Sequence, residues 1–240
     1  MPLFVRVLKI VWILWVVSNH AKLSTAGSEM WMNAVVGLGQ DGGMWSIRDY
    51  RAADETGWLR CRVLGFLDTA YFDDVATRKP AIAQGLELVA TAGGQIVGML
   101  DASVDGHDAT IETIAVHPEH RRSGVARGLL EEVSRRLVAR GARQVDAWTR
   151  DDEGTIQWYR SQGFQEQMRY LHVYASTPEE AAAFATREDL MPRSGFFHAW
   201  IEQEDAMRAE FTRVHVCRRM VRSLEAGFGE DSGDGGGEGG

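Results

Sequence analysis

The feature that most constrains the fold is a strand, turn and helix pattern over residues 109–141. Residues 109–116 are rich in β-branched side chains and end in an apolar run, which predicts a strand buried at its C-terminal end. Pro118 ends the strand pattern. From Ser123–Gly124 onward, apolar residues recur at the three-to-four spacing of one helical face, and Gly141 stands where a left-handed C-cap is expected.

The turn before this helix is predicted to bind an anion. The first amide groups of a helix have no acceptor within the helix, and the helix dipole adds partial positive charge there. Gly124 allows a phosphate group to approach the backbone, and nearby arginines add cationic donors. The basic residues gathered in this turn are His120, Arg121, Arg122 and Arg127. A pyrophosphate suits such a site.

Two motifs closely resemble those of the GNAT acetyltransferase superfamily. Arg121-x-x-Gly124-x-Ala126 follows Ile-Ala-Val-His-Pro and matches the acetyl-CoA motif of that family, in which Arg or Gln precedes Gly and then Gly or Ala. Residues 158–164, Trp-Tyr-Arg-Ser-Gln-Gly-Phe, resemble the later helix of the family, which carries a tyrosine and runs into Gly-Phe. The resemblance covers about residues 44–175. It implies an α/β (α+β) GNAT fold, with a mixed, mostly antiparallel central sheet flanked by helices.

The resemblance also implies a function: an N-acetyltransferase that moves an acetyl group from acetyl-CoA to an amine by direct transfer in a ternary complex. In this family, the strand before the phosphate loop and the next strand splay apart, and pantetheine lies in the gap. Asp152 stands where relatives often have Asn, and a carboxylate accepts hydrogen bonds but cannot donate them. The residues expected to bind acetyl-CoA are Ile114, Ala115, Val116, Arg121, Arg122, Ser123, Gly124, Val125, Ala126, Arg127 and Asp152.

Glu112 is the candidate general base. A lysine-like amine has a pKa of ~10.4, so freeing its lone pair at neutral pH costs about 4 to 5 kcal/mol and favours a base nearby. Glu112 precedes Val116 by four residues, close to where pantetheine should end. Some relatives carry the catalytic Glu two positions earlier, where this chain has Thr110. A structural role for Glu112, in capping or in pairing with an arginine, is the alternative.

Tyr159 is the candidate general acid. A phenol of pKa ~10 is protonated at neutral pH and can donate to the departing thiolate, as the matching tyrosine of the family commonly does. The alternative is an aromatic side chain that only packs beside Trp158. A backbone N–H near Val116 is expected to meet the oxyanion.

Two other clusters of polar residues are candidate sites. Acidic residues beside Tyr71 and Phe72 could hold a cationic amine, although a solvated acidic turn is the favoured interpretation; they are Asp68, Asp73 and Asp74. The other cluster lies on predicted strands and contains His172, His198, His215 and Cys217. The spacing of these residues does not form a metal-ligand motif, so no metal site is predicted.

Composition favours one globular domain in a reducing compartment. The chain is 45% apolar and 25% charged, and its two cysteines form no disulfide framework or Cys-x-x-Cys pair. Of the net charge of −8, four units come from the tail after Glu225, which holds four acids and no base. No basic stripe with interleaved aromatics points to nucleic acid. The amine acceptor could be a small molecule or a peptide, and a homodimer is left open.

The predicted domains are residues 1–43, a leader outside the fold; 44–175, the acetyltransferase domain; 176–225, an extension packed on the core; and 226–240, a disordered acidic tail. The extension could pair with the last strand of the core or cover the acceptor pocket. The apolar run Ile10–Val17 is too short to span a bilayer of ~30 Å, so no stable membrane insertion is expected. It could be the core of a signal peptide. A biological start at Met44 and a cytoplasmic protein are favoured.

Further elements are expected along the chain. One or two helices are predicted over 52–74, and a hairpin over 87–104 turning at Gly93-Gly94. The later segments are predicted as a strand at 144–149, a helix at 153–162, one bent strand or two over 164–175, a helix over 176–190, and two strands or a strand and a helix at 196–201 and 211–221.

Two other functions compete with the enzyme. The first is a catalytically silent module that binds or senses acyl-CoA through the same loop. The second is an interaction domain in which residues 176–225 dock a partner.

Overall fold

The computed structural model describes residues 35–38, 44–82 and 84–224, without the side chains of 35–38. Its strands form one sheet. They are β1 (Val35–Leu38), β2 (Met44–Asp49), β3 (Leu86–Ala92), β4 (Gln95–Asp105), β5 (Asp108–Val116), β6 (Gln144–Thr149), β7 (Gln165–Ala175), β8 (Gly195–Ala199) and β9 (Arg213–Ser223).

Helices connect and cover these strands. They are α1 (Glu55–Phe66), α2 (Val125–Ala139), α3 (Glu153–Ser161), α4 (Pro178–Ala182) and α5 (Glu204–Glu210), with short 3₁₀ turns at Ala52–Asp54, Pro118–His120 and Ile201–Gln203. No helix in the described part of the chain is long and apolar enough to cross a membrane.

The strand order is β1-β2-β3-β4-β5-β6-β9-β7-β8. Among these described strands, β5 and β6 pair in parallel and every other neighbouring pair is antiparallel. The crossover between β5 and β6 runs through α2, as a parallel pair requires. The predicted fold class, a mixed and mostly antiparallel sheet flanked by helices, is confirmed.

The central strands separate at Glu112. The pairing of β5 with β6 covers only Asp108–Ile111 against Gln144–Ala147. On its other side, β5 pairs with β4 through the whole strand, but the register slips between Ile111 and Thr113, so that Glu112 is the extra residue of a β-bulge. Residues 112–116 therefore have a sheet partner on one side and a gap toward β6 on the other.

Side chains alternate between the two faces of the sheet because successive residues of a strand point in opposite directions. On one face, α2 packs through Leu129, Leu130 and Val133 on the main core. On the other, α1 packs Trp58 and Cys61 against Met99 and Ala115. The split between β5 and β6 lies between these two helices.

The C-terminal region does not simply cover the core. β9 lies inside the sheet, paired with β6 on one side and β7 on the other. The inserted segment between β7 and β9 carries β8 and the short helices α4 and α5, whose apolar side chains form a separate core with Phe211 and Val216. Of the two alternatives for residues 176–225, pairing with the last strand of the core occurs, between β9 and β7, and β9 also pairs with β6 as an inner strand.

Two further expectations are corrected. The helix predicted over 176–190 forms only at Pro178–Ala182; the chain then leaves the helix, and Phe184 stacks on Phe197 with ring centroids 4.1 Å apart. Val35–Leu38, within the predicted leader, pairs with β2 and so belongs to the sheet. The remaining leader up to residue 34 and the predicted disordered tail lie outside the described residues.

Candidate active site

A cavity of about 520 Å³ opens at the split between β5 and β6. Its walls are the C-terminal part of α1 and the loop after it, residues 111–116 of β5, the loop before α2, the end of β6 and the first turns of α3. Of the sequence-predicted site residues, those that line it are Glu112, Ile114, Ala115, Val116, Arg121, Arg122, Ala126, Asp152 and Tyr159.

The loop before α2 has an unusual backbone. Arg122 and Gly124 both adopt the left-handed conformation, with φ of 62° and 84°. Left-handed backbone is costly for a residue with a Cβ, so the strain at Arg122 is maintained by the surrounding structure. Trp45 of β2 contributes to this by donating from Nε1 to the carbonyl oxygen of Ser123 at 3.0 Å. This strained loop places the N-terminus of α2 at the cavity.

The two arginines of this loop differ in their surroundings. Arg121 donates from Nη2 to the carbonyl oxygen of Gly65 at 3.0 Å, and its guanidinium lies 4.0 Å from Asp68, so it braces the end of α1. Arg122 is exposed and lies on the cavity wall. Within the described segments no ion pair or side-chain hydrogen bond holds its guanidinium, which leaves it available to a ligand.

The remaining predicted loop residues do not line the cavity. The Ser123 hydroxyl donates to the carbonyl oxygen of His120 at 2.6 Å, which closes the turn. Val125 is buried, in line with its place in the main core. Arg127 is exposed beside Glu131, at 3.9 Å. Gly124 serves as the N-cap of α2.

Glu112 lies at the bulge where the cavity begins. Its carboxylate accepts a hydrogen bond from the Ser103 hydroxyl at 2.5 Å. Desolvation by the surrounding protein raises the pKa of this carboxyl, the negative charge of Asp146 raises it further, and the bond from Ser103 lowers it. The structural alternative of an arginine partner does not apply, because no arginine pairs with Glu112 in the described part of the protein.

Tyr159 lies on α3, on the opposite wall of the cavity from β5. It is 3% exposed, and its ring packs edge-on against Trp158 and Phe164 at centroid distances of 5.0 and 5.1 Å. Burial raises the pKa of its phenol well above the ordinary value, so the hydroxyl is protonated at neutral pH. Tyr159 therefore packs against its aromatic neighbours and carries a protonated hydroxyl.

Asp152 has a structural partner. Its carboxylate accepts from the Thr155 backbone N–H at 2.7 Å and caps the N-terminus of α3. A side-chain cap of this kind satisfies an amide that the helix itself cannot. Asp152 also lines the cavity. The predicted contact with acetyl-CoA would therefore be made in addition to the hydrogen bond that caps α3.

The acidic turn after α1 is held by ion pairs. Asp73 pairs with Arg213 at 2.6 Å and Asp74 with Arg62 at 2.8 Å, whereas Asp68 remains largely exposed. The favoured interpretation, a solvated acidic turn, describes Asp68 alone. The other two carboxylates tie this turn to β9 and to α1.

Sequence reasoning missed a buried network beside the cavity. The Arg150 guanidinium donates from Nε to Nδ1 of His172 at 3.2 Å, and Nε2 of His172 lies 2.9 Å from the Tyr170 hydroxyl. Burial first, and then the charge of Arg150, lowers the pKa of His172 to about 2, so the imidazole is neutral. The alternation of histidines in two segments was the available signal, since His172 and His215 face each other across β7 and β9.

The histidines noted in the sequence do not assemble into a metal-ligand set among the described residues. His172 and His198 stack, with ring centroids 5.1 Å apart. His215 bonds from Nδ1 to Asp151 at 2.7 Å.

Comparison with known proteins identifies the family. A model described as an acetyltransferase (GNAT) domain matches residues 83–166. Acetyltransferase SG1711 of Sodalis glossinidius (strain morsitans) is 30% identical over 113 residues, which are 47% of this chain and 78% of that protein. The chain belongs to the GNAT acetyltransferase family. Proteins of this family transfer an acetyl group from acetyl-CoA, and that is the activity class of this GNAT protein.

Solved structures similar to this GNAT protein are more distant. The ribosomal-protein-S18-alanine N-acetyltransferase from Escherichia coli is 18% identical, with a TM-score of 0.49 over 78% of this chain and 98% of that one. The PaiA N-acetyltransferase from Thermoplasma acidophilum, in complex with coenzyme A, is 12% identical, with a TM-score of 0.45 over 51% of this chain and 91% of that one.

Proposed function

We propose that this protein is an acetyl-CoA-dependent N-acetyltransferase that transfers the acetyl group directly to an amine within a ternary complex. The observation that carries the proposal is the continuity of the cavity. It connects the stretch of β5 that is not paired with β6, the exposed guanidinium of Arg122 in the loop before α2, and two candidate proton-transfer groups, Glu112 and Tyr159.

The residues present fit acetyl-CoA. Backbone groups of residues 114–116 would pair with the pantetheine amides, because β6 leaves that side of β5 open. The first amides of α2 and the guanidinium of Arg122 would hold the diphosphate. Gly124 has no Cβ, and one built there would meet only Trp45, at 3.8 Å, so the approach to the loop backbone is open. The bound thioester supplies the acetyl group.

Glu112 would accept the proton of the acceptor amine, directly or through water. Its raised pKa suits a base that works near neutral pH, because a carboxylate of ordinary pKa is a weaker base. Tyr159 would donate its phenolic proton to the sulfur as charge develops there. Since burial keeps this phenol protonated, it is available as an acid throughout the neutral range. The oxyanion would be met by a backbone N–H near Val116.

Thiol release from acetyl-CoA, measured over a panel of small amines, amino acids and peptide N-termini, tests the proposal. Calorimetry with CoA should give binding that Arg122→Glu and Gly124→Glu weaken strongly, while Arg187→Glu, which changes an exposed arginine outside the cavity, leaves it unchanged. CoA binding with no thiol release for any amine would contradict the enzyme and favour a silent acyl-CoA-binding module. No CoA binding by the folded protein would contradict both.

A further inference from the structure

We propose that Asp146 and Ser103 are positioning residues that set the proton affinity of Glu112 from opposite sides. The inference rests on the proposed role of Glu112 as base and adds two residues outside the cavity lining. Asp146 makes Glu112 a stronger base through its charge. Ser103 limits that effect by donating a hydrogen bond to the same carboxylate.

The register of the sheet brings these side chains together. Thr110 of β5 lies opposite Asp146 of β6 and also opposite Ser103 of β4. Side chains of directly paired residues share a face of the sheet. Glu112 lies two residues beyond Thr110 and therefore points to the same face, where its Oε1 accepts from the Ser103 hydroxyl at 2.5 Å.

Asp146 keeps part of its charge unshielded. Its Oδ2 accepts a hydrogen bond from Nε of Arg219 of β9 at 2.6 Å and forms an ion pair with Nη2 of the same residue at 2.5 Å. Its Oδ1 is buried and has no hydrogen-bond partner within the described chain. Asp146 is 6% exposed, so solvent screens it little. An anion placed in this way disfavours a second negative charge on Glu112.

The other charged groups near Glu112 are held in ion pairs, as Asp146 is. Asp101 of β4 lies 2.9 Å from Lys79, and both side chains are almost fully buried. On the α1 wall of the cavity, Arg62 holds Asp74 at 2.8 Å. Tyr159 on α3 is protonated, as described above. Neutralising Asp146 should change the electrostatic potential at Glu112 in one sense only. The negative charge is lost, and the Arg219 guanidinium that remains also favours the ionised carboxylate.

The test follows the ionisation of Glu112 in four variants. Carboxyl ¹³C NMR of the full-length protein, labelled at Glu and assigned with Glu112→Gln, reads the Glu112 carboxyl without requiring turnover. The pH dependence of kcat/KM for thiol release reads the same group during catalysis. The variants are Asp146→Asn, Asp146→Glu, Ser103→Ala and Asp189→Asn. The last is the control, since it removes one exposed negative charge outside this cluster.

Asp146→Asn should move the Glu112 titration and the acid limb of kcat/KM to lower pH, because an anion that opposed ionisation is gone. Asp146→Glu should keep both near the wild-type position, since it retains the charge. Ser103→Ala should move both to higher pH, because it removes a donor to the carboxylate. Asp189→Asn should move neither. A merely structural role would lower kcat without moving the limb.

Unchanged NMR titrations in Asp146→Asn and Ser103→Ala would overturn the inference. If Asp146→Asn does not fold, the upward shift in Ser103→Ala supports the inference and its absence overturns it, because Ser103 leaves no buried charge behind. NMR titrations that shift while the acid limb stays fixed would overturn it as well, by showing that Glu112 is not the base. Absence of turnover in the wild-type protein would contradict the proposed function alone, because the NMR measurement on Glu112 does not require turnover.

Discussion

Replacing Tyr159 with phenylalanine isolates the hydroxyl from the ring. Phenylalanine keeps the edge-on contacts with Trp158 and Phe164, at 5.0 and 5.1 Å, so the free energy of unfolding should change by no more than about 1 kcal/mol. The loss should appear in turnover instead. General acid catalysis contributes about 10²- to 10⁴-fold, which corresponds to ~3 to 5 kcal/mol of barrier.

The assay is thiol release at saturating acetyl-CoA, with calorimetry for CoA affinity and denaturant unfolding for stability. Tyr159→Phe should lower kcat by about 10²-fold or more while leaving CoA affinity unchanged. Because burial raises the pKa of the phenol, wild-type turnover should show no decline from Tyr159 ionisation below about pH 10. Trp158→Phe is the matched control, since it changes the neighbouring ring and keeps the hydroxyl. A fall in kcat of less than about threefold, well under the contribution of a general acid, would refute the assignment.

Three further predictions concern the scaffold. Gly124→Ala should cost about 1 to 2 kcal/mol in denaturant unfolding and weaken CoA binding, because φ of 84° strains a residue with a Cβ; equal stability would contradict this. Lys79→Met should cost about 3 to 5 kcal/mol at neutral pH by leaving Asp101 buried and unpaired. The pKa of Asp101 is already raised to about 6, so protonation should relieve much of that cost below this pH; a pH-independent cost would refute the reasoning. Gly98→Val should cost about 1 to 3 kcal/mol and weaken CoA binding, because a Cβ there would lie 2.5 Å from Val125 Cγ1 and displace α2; unaltered CoA affinity would show that the position of α2 does not control the loop.

Local patterns predicted the elements around the site. The hairpin turning at Gly93-Gly94, the strand at 144–149 and the helix that carries Tyr159 all form close to the predicted residues. Their signals are local: a two-residue turn, alternation, and a helical face that ends in glycine. The split of β5 from β6 came from the family resemblance and is confirmed by the register.

What the sequence did not reveal depends on contacts between distant residues. Nothing local marks β9 as the strand between β6 and β7, because strand order is decided by pairing across long separations. The bulge at Glu112 is likewise a property of the β4–β5 register. Arg121 and Arg122 look equivalent in the motif, yet Arg121 bonds to Gly65, 56 residues earlier, whereas Arg122 has no side-chain partner among the residues that the structure describes.

The position of β9 has a consequence for biosynthesis. The strand that joins β6 to β7 is the last element of the described chain, so a nascent polypeptide that ends before Arg213 presents two open sheet edges. Unpaired edges of this kind invite pairing with other chains. A chain truncated before Arg213 should therefore give insoluble product rather than a shortened enzyme.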